Sequence, residues 1–281
     1  MIDVLPQFST TDRGGRMTAL QQGQPIGRMA PLLPRALFAA VLWAVPSTVP
    51  FGAITSLAPN PTVSMFLGHP ITVVAAIALT LFGALAQTMR LYERAMDSFG
   101  QPRVAGLLAS AAVTGGIALG AGFLLVWTLA SDPGRTIEFD ALVNSSEIPM
   151  ELGIVIGAAS GLWCVFSIMR LFRAVAHARR RQRTIERLRV EGKRCTGTLT
   201  AVTFSHHWVH DEPRFTTETS FVIDGVTRSV CARMRTSADR VPVAGSPVLV
   251  LSDDLGNVHL ELDDSAELQF EPPERFTAPE G

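Results

Sequence analysis

The residues best equipped for chemistry in this chain fall in one run, His206-His207-Trp208-Val209-His210-Asp211. Imidazole nitrogens are good ligands for zinc, nickel and copper, and three of them with a carboxylate can hold one ion. His206, His207, His210 and Asp211 are therefore the candidate metal ligands, and His259 joins them if its strand lies beside that run. The spacing has neither the HExxH nor the CxxC pattern of established zinc sites. A solvated hairpin loop is the competing reading, and no cofactor is assigned. There is no Walker motif and no nucleophile elbow, and the glycines of Gly115 to Gly122 sit inside an apolar run rather than between a strand and a helix. The chain reads as non-enzymatic.

The elements that must position these residues are dominated by apolar helices. Four stretches, 36–58, 71–89, 104–130 and 152–169, contain no Asp, Glu, Lys or Arg. A helix needs roughly 20 apolar residues to cross a bilayer core of about 30 Å. The expectation is a four-helix transmembrane domain over 35–169. The first run begins too late and is too long for a signal peptide. Clean span interiors also remove the charged groups that mark ion paths and substrate sites. Thr80 and Gln87 in span two are the polar residues left for a transporter or channel component, the first alternative to a binding role.

Charge sets the orientation. The chain has a net charge of −1, with 47% hydrophobic and 17% charged residues, but the charges are segregated. Ten of the 24 basic residues lie between Arg170 and Arg194, while Asp253 to the end carries nine acids against Arg275 alone. The N-terminal segment holds Arg13, Arg16, Arg28 and Arg35, and the link between spans two and three holds Arg90, Arg94 and Arg103. The alternate links hold only Arg135. The positive-inside rule then places both termini in the cytoplasm. Every basic residue is Arg except Lys193, which with abundant Ala and Gly points to a GC-rich bacterial genome and hence a plasma membrane.

Within the bundle, Gly153, Gly157 and Gly161 of span four, and Ala112, Gly116 and Gly120 of span three, recur every fourth position. Such stripes let helix backbones approach closely in lipid. The reading is tight packing of spans three and four, with a dimer interface as the alternative. Pro46 and Pro50 in span one predict a kink or a short unwound stretch.

Four further segments complete the chain. Residues 1–34, rich in Gly and Pro, read as a disordered cytoplasmic lead. Residues 170–192 read as an Arg-rich helix capped at Gly192, with Val175, Ala178, Ile185 and Leu188 on one face and Arg173, Arg179, Arg180, Arg183 and Arg187 on the other. Arg181 and Arg189 break that pattern. The segment reads either as a juxtamembrane helix contacting anionic lipid through those five Arg residues or as a stalk that pairs with a second copy. The Arg run is accounted for by topology without nucleic acid. Residues 193–270 alternate with period two over Thr198–Phe204, Phe215–Ile223, Val226–Arg233, Val248–Leu251 and Val258–Leu262, with Asp224-Gly225 as a hairpin turn. This is an all-β domain, a small barrel or sandwich of the OB or SH3-like kind. Residues 271–281 read as an acidic tail.

Arg194-Cys195-Thr196-Gly197, the Asp224-Gly225 hairpin, and Gly245-Ser246-Pro247-Val248 leading to Val258-His259-Leu260-Glu261-Leu262 resemble the small β-domain of uncharacterised bacterial multi-pass membrane proteins. That domain is catalogued as one of unknown function. More distantly, the chain is similar to membrane proteins that end in an OB domain and partner stomatin-like scaffolds. The second resemblance implies an adaptor role and supplies no functional residue to carry over. The expected function is a non-enzymatic scaffold or regulator of a membrane complex, with anionic lipid and a protein, or a second copy, as partners. A metal-dependent sensor built on the His cluster is the second alternative.

Overall fold

The computed structural model describes residues 6–18, 27–54, 70–131, 150–209, 212–263 and 265–276. They form two compact units, Ile26–Ala176 and a second one made of Met1–Pro25 with His177–Gly281. This division differs from the expected boundaries, because the lead up to Pro25 and the Arg-rich helix from His177 belong to the unit that holds the β-domain.

The first unit is helical: α1 (Leu33–Ile54), α2 (Pro70–Phe99), α3 (Pro102–Ser131) and the first part of α4 (Met150–Glu191). Among the described residues, three helical segments, Ala75–Phe99, Pro102–Trp127 and Leu152–Glu191, are long and apolar enough to cross a membrane, and Leu33–Thr48 is a shorter apolar helix. Large apolar side chains such as Leu37, Phe82, Phe123, Leu162 and Phe172 point outward, while Ala39, Ala84, Ala95, Ala105 and Ala112 are buried. Helices in lipid pack in this way, small residues inward and bulky ones toward the acyl chains. Between α2 and α3, Gly100 takes the left-handed conformation at φ +59° that closes a helix, and Pro102 starts the next one.

The glycine stripes are used, though not all as expected. A Cβ on Gly157 would lie 2.6 Å from Ala121 Cβ of α3, so span four does meet span three there. On Gly116 it would meet Ala40 O at 2.4 Å, and on Gly120 Ala44 O at 2.6 Å, so the α3 stripe faces α1 instead. Gly161 has room, with Ala118 Cβ 3.8 Å away, and Gly153 is buried. Trp43 Nε1 donates to Thr88 Oγ1 at 3.0 Å, tying α1 to α2, and Trp163 Nε1 donates to Ser110 Oγ at 3.2 Å, tying α4 to α3. Helical geometry persists through Pro46 rather than unwinding, and Ser47 Oγ donates to Trp43 O at 2.7 Å.

The second unit is a nearly closed antiparallel barrel. Its strands are β1 (Gln7–Ser9), β2 (Lys193–Val209), β3 (Glu212–Ile223), β4 (Val226–Arg235), β5 (Pro247–Ser252) and β6 (Val258–Leu262), in the order β1-β4-β3-β2-β5-β6. The seam between β1 and β6 is bridged where Thr10 Oγ1 donates to Val258 O at 2.9 Å. Phe8, Leu199, Phe215, Phe221, Met234, Val248, Val250 and Leu260 fill the interior. Thr200 is an extra residue in β2, lying between the pairs Leu199↔Thr219 and Ala201↔Glu218. This bulge switches the inward positions of β2 from odd (Leu199) to even (Val202, Phe204).

Two segments correct the sequence reading. The lead over 1–34 is not all disordered: Gln7–Ser9 pairs with Arg233–Arg235, and Phe8 and Met17 are buried at 5% and 2% exposure. Those two side chains supply the apolar anchors that the Gly- and Pro-rich composition obscures. The tail over 271–281 is docked as far as Phe276, which lies across the rings of Phe204 and Phe215 at 5.8 and 5.1 Å.

Phe8→Ala should lower barrel stability by about 3 kcal/mol, the usual scale for emptying a phenylalanine site, as read by denaturant unfolding of the full chain. Gly116→Ala should destabilise the helical unit because a backbone carbonyl cannot yield, whereas Gly161→Ala should melt within a degree or so of the parent. Melting temperatures in one detergent compare the two.

Candidate functional site

The last turns of α4 carry a network of charged and polar contacts to the barrel. Residues directly opposite in an antiparallel sheet share a face, so His259 and Leu251, paired in register, both lie on the outside of the barrel wall. Both are nevertheless buried, at 7% and 1% exposure. Arg189 Nε donates to Glu261 Oε1 at 2.7 Å, and Arg187 Nη2 donates to Asp253 Oδ2 at 2.8 Å. These contacts seat the helix end over the outer face of β5 and β6. The apolar face of the helix, Ala178, Ile185 and Leu188, is buried as the wheel predicted.

Arg181 and Arg189 are eight residues apart and share that buried face, which explains why they interrupt the amphipathic pattern. Each is opposed by a carboxylate. Asp12, which follows β1, places Oδ1 2.9 Å from His177 Nε2 and Oδ2 3.6 Å from Arg181 Nε. Burial lowers the Arg181 pKa, and Asp12 works against that shift. His177, Asp12 and Arg181 thus tie the lead to the helix, and Arg189, Glu261 and His259 tie the helix to β6.

The second cluster has a defined protonation state. Burial is the largest influence on His259 and lowers its pKa, against the raising effect of Glu261. At neutral pH a lowered pKa favours the uncharged imidazole, whose Nε2 lies 3.1 Å from the carboxylate Oε1 of Glu261 and must then be the donor, with Nδ1 buried and without a partner among the described residues. Burial pushes Glu261 upward, but the hydrogen bonds from His259 and Arg189 outweigh it and hold the carboxyl at about 2.

Of the sequence-derived metal ligands, His206 and His259 lie among the described side chains. His206 sits in a second irregularity of β2, between the pairs Phe204↔Phe215 and Trp208↔Pro213, with φ +52° and its ring 4.9 Å from that of Phe204. It is exposed. The side chain of His207, and His210 and Asp211, lie outside the described residues. His259 does not lie on a strand beside His206: β6 pairs with β5, whose own partner is the Lys193–Thr198 end of β2. Among the described residues no group of three His, Cys, Asp or Glu is placed to hold a metal ion.

Of the Arg residues expected to meet lipid, Arg173, Arg180, Arg183 and Arg187 are exposed and Arg179 is half-buried. Arg187 is engaged by Asp253. The apolar face that self-pairing or lipid insertion would require is occupied within the unit. Sequence reasoning missed Asp12, because nothing in a Gly- and Pro-rich lead announces a buried carboxylate. It also left His177 unremarked.

Both shifts in the second cluster make the barrel acid-labile. A depressed His259 gives stability that is complete above the unfolded value near 6.5 and is lost as pH falls toward its folded value. Glu261 adds stability that is present above about 4.5 and is lost as pH falls toward about 2. Denaturant unfolding should therefore show stability falling as pH drops below about 6.5. His259→Phe should flatten the upper part of that slope; an unchanged profile would mean that His259 titrates as it does in the unfolded chain.

Compared with known protein families, curated proteins and solved structures, the chain matches none, so its reading rests on this geometry.

Proposed function

We propose that the chain is a bacterial plasma-membrane protein with four crossings, both termini cytoplasmic, whose barrel acts by binding as a non-enzymatic scaffold or regulator of a membrane complex. The observation that carries the topology is the pairing of β1 with β4. Residues 7–9 precede every membrane-length helix and residues 233–235 follow them all. Strands in one sheet lie on one side of a membrane, so the number of crossings between them is even. Among the described residues three helices qualify by length and apolarity, and the even count supports α1, a shorter apolar helix, as the fourth. The concentration of Arg flanking alternate spans selects the cytoplasm as the shared side.

The binding role is supported by where the charge goes. Arg173, Arg180 and Arg183 project outward from α4, and each basic residue near an anionic surface contributes roughly 1 kcal/mol. The barrel meanwhile exposes Val222 and Val226 on either side of its Asp224-Gly225 turn, at 54% and 55%.

In a cysteine-free background, an impermeant thiol reagent applied to intact cells should label cysteines at positions 60 and 140 and leave those at 93 and 224 untouched. Labelling at 224 would overturn the topology. A photo-crosslinker at Val222 should trap a discrete membrane-protein partner in native membranes, and a barrel that crosslinks to nothing from this hairpin would overturn the scaffold role.

A further inference from the structure

The outer face of the barrel carries a second buried charge group, two arginines that share a single carboxylate among the described residues. Gln7, Arg235 and Arg214 stand in register across β1, β4 and β3. Their chain neighbours Phe8, Met234 and Phe215 point into the core, so this row points outward. Outward residues farther along the same strands, Arg233 and Thr216, are exposed. Arg214 is only 8% exposed and Arg235 only 10%, and Met17, 2% exposed, lies against Arg214.

One carboxylate serves these two guanidinium groups. Glu212 accepts from Arg235 Nε. Arg214 Nη1 reaches only Met17 Sδ, at 3.8 Å. Among the described residues, Arg214 Nε, Arg214 Nη2 and Arg235 Nη1 are buried without an acceptor, and Gln7 Oε1 is buried without a donor. Burial lowers the Arg214 pKa, with Arg235 adding to the effect and Glu212 opposing it. A buried excess positive charge is costly unless something pairs with it.

The free atoms define what would pair. Nε and Nη2 form the edge of a guanidinium that grips two oxygens of one anion in parallel hydrogen bonds. Arg235 Nη1 adds a third donor, and Gln7 Oε1 adds an acceptor. We propose that Gln7, Arg214 and Arg235 form a binding site for a phosphate group, either free or carried by a larger molecule. Inorganic phosphate at neutral pH keeps at least one proton, so it can accept three N–H bonds and donate one O–H to Gln7; a phosphate monoester, whose second pKa is about 6, does so in its singly ionised form. Sulfate and carboxylate have no such proton. The site belongs to the barrel alone and does not depend on the number of membrane crossings or on a protein partner.

The test uses the full chain in neutral detergent and phosphate-free buffer, titrated with inorganic phosphate at constant ionic strength. Radiolabelled phosphate should bind at one per chain and raise the melting temperature, and sulfate should do so more weakly. Arg214→Met should abolish both effects yet melt no lower than the parent without phosphate, because it removes a charge that has no partner. Arg214→Lys, which keeps the charge but loses the fork, should bind roughly tenfold more weakly. In nanodiscs, displacement of the label by phosphatidic acid but not by phosphatidylcholine would assign the phosphate to a lipid headgroup. Retention of the label would assign it to a soluble molecule. Absence of phosphate binding by the parent overturns the proposal. So does sulfate binding as tight as phosphate, or an Arg214→Met chain destabilised equally with and without phosphate.

Discussion

Closure of the barrel depends on a strand of three residues that arrives from the opposite end of the chain. β2 to β6 all lie between Lys193 and Leu262, yet the sheet they make stops at β4 on one side and β6 on the other. Exposed strand edges are templates for unwanted pairing. Gln7–Ser9 covers the far end of β4, and Thr10 then reaches Val258 on β6. Gln7 meets Arg235 across every helix of the chain and Thr10 meets Val258 across 248 positions, so closure rests on contacts that are far from local. The entropic cost of closing so long a loop grows only logarithmically with its length. Burial of Phe8 and Met17 provides the compensating gain.

That dependence also marks the limit of what could be read from the residues. The strands from β2 to β6 were legible because alternation is a local signal, and Asp224-Gly225 announced its hairpin through the positive φ that both residues adopt. The bulge at Thr200 was not legible, since a single extra residue alters parity without altering composition. β1 was hidden for a related reason: three residues have no measurable period. Phe270 and Phe276 were the available signal that the acidic end docks, but proline and acidic neighbours masked them. For the site, Arg181 and Arg189 were visible as exceptions on a helical wheel. Their carboxylates, Asp12 and Glu261, lie 169 and 72 positions away in sequence, where no pattern links them.

Two buried arginines and the half-buried Arg189 show three degrees of neutralisation. Arg189 has a short hydrogen bond to Glu261, Arg181 faces Asp12 at 3.6 Å, and Arg214 has two nitrogens with no acceptor. Apolar residues would make a cheaper covering for the outer wall of β5 and β6. What they would lack is register. Ile185 and Leu188 keep apolar contact through a small sliding or turning of the helix, whereas hydrogen bonds weaken steeply as they lengthen or bend. Such a movement would carry Arg189 away from Glu261 and Arg187 away from Asp253, leaving the Arg189 and Glu261 charges unpaired. The charged pairs therefore fix one rotational setting of the helix on the sheet, and the same cost that makes them poor sources of stability makes every other setting worse.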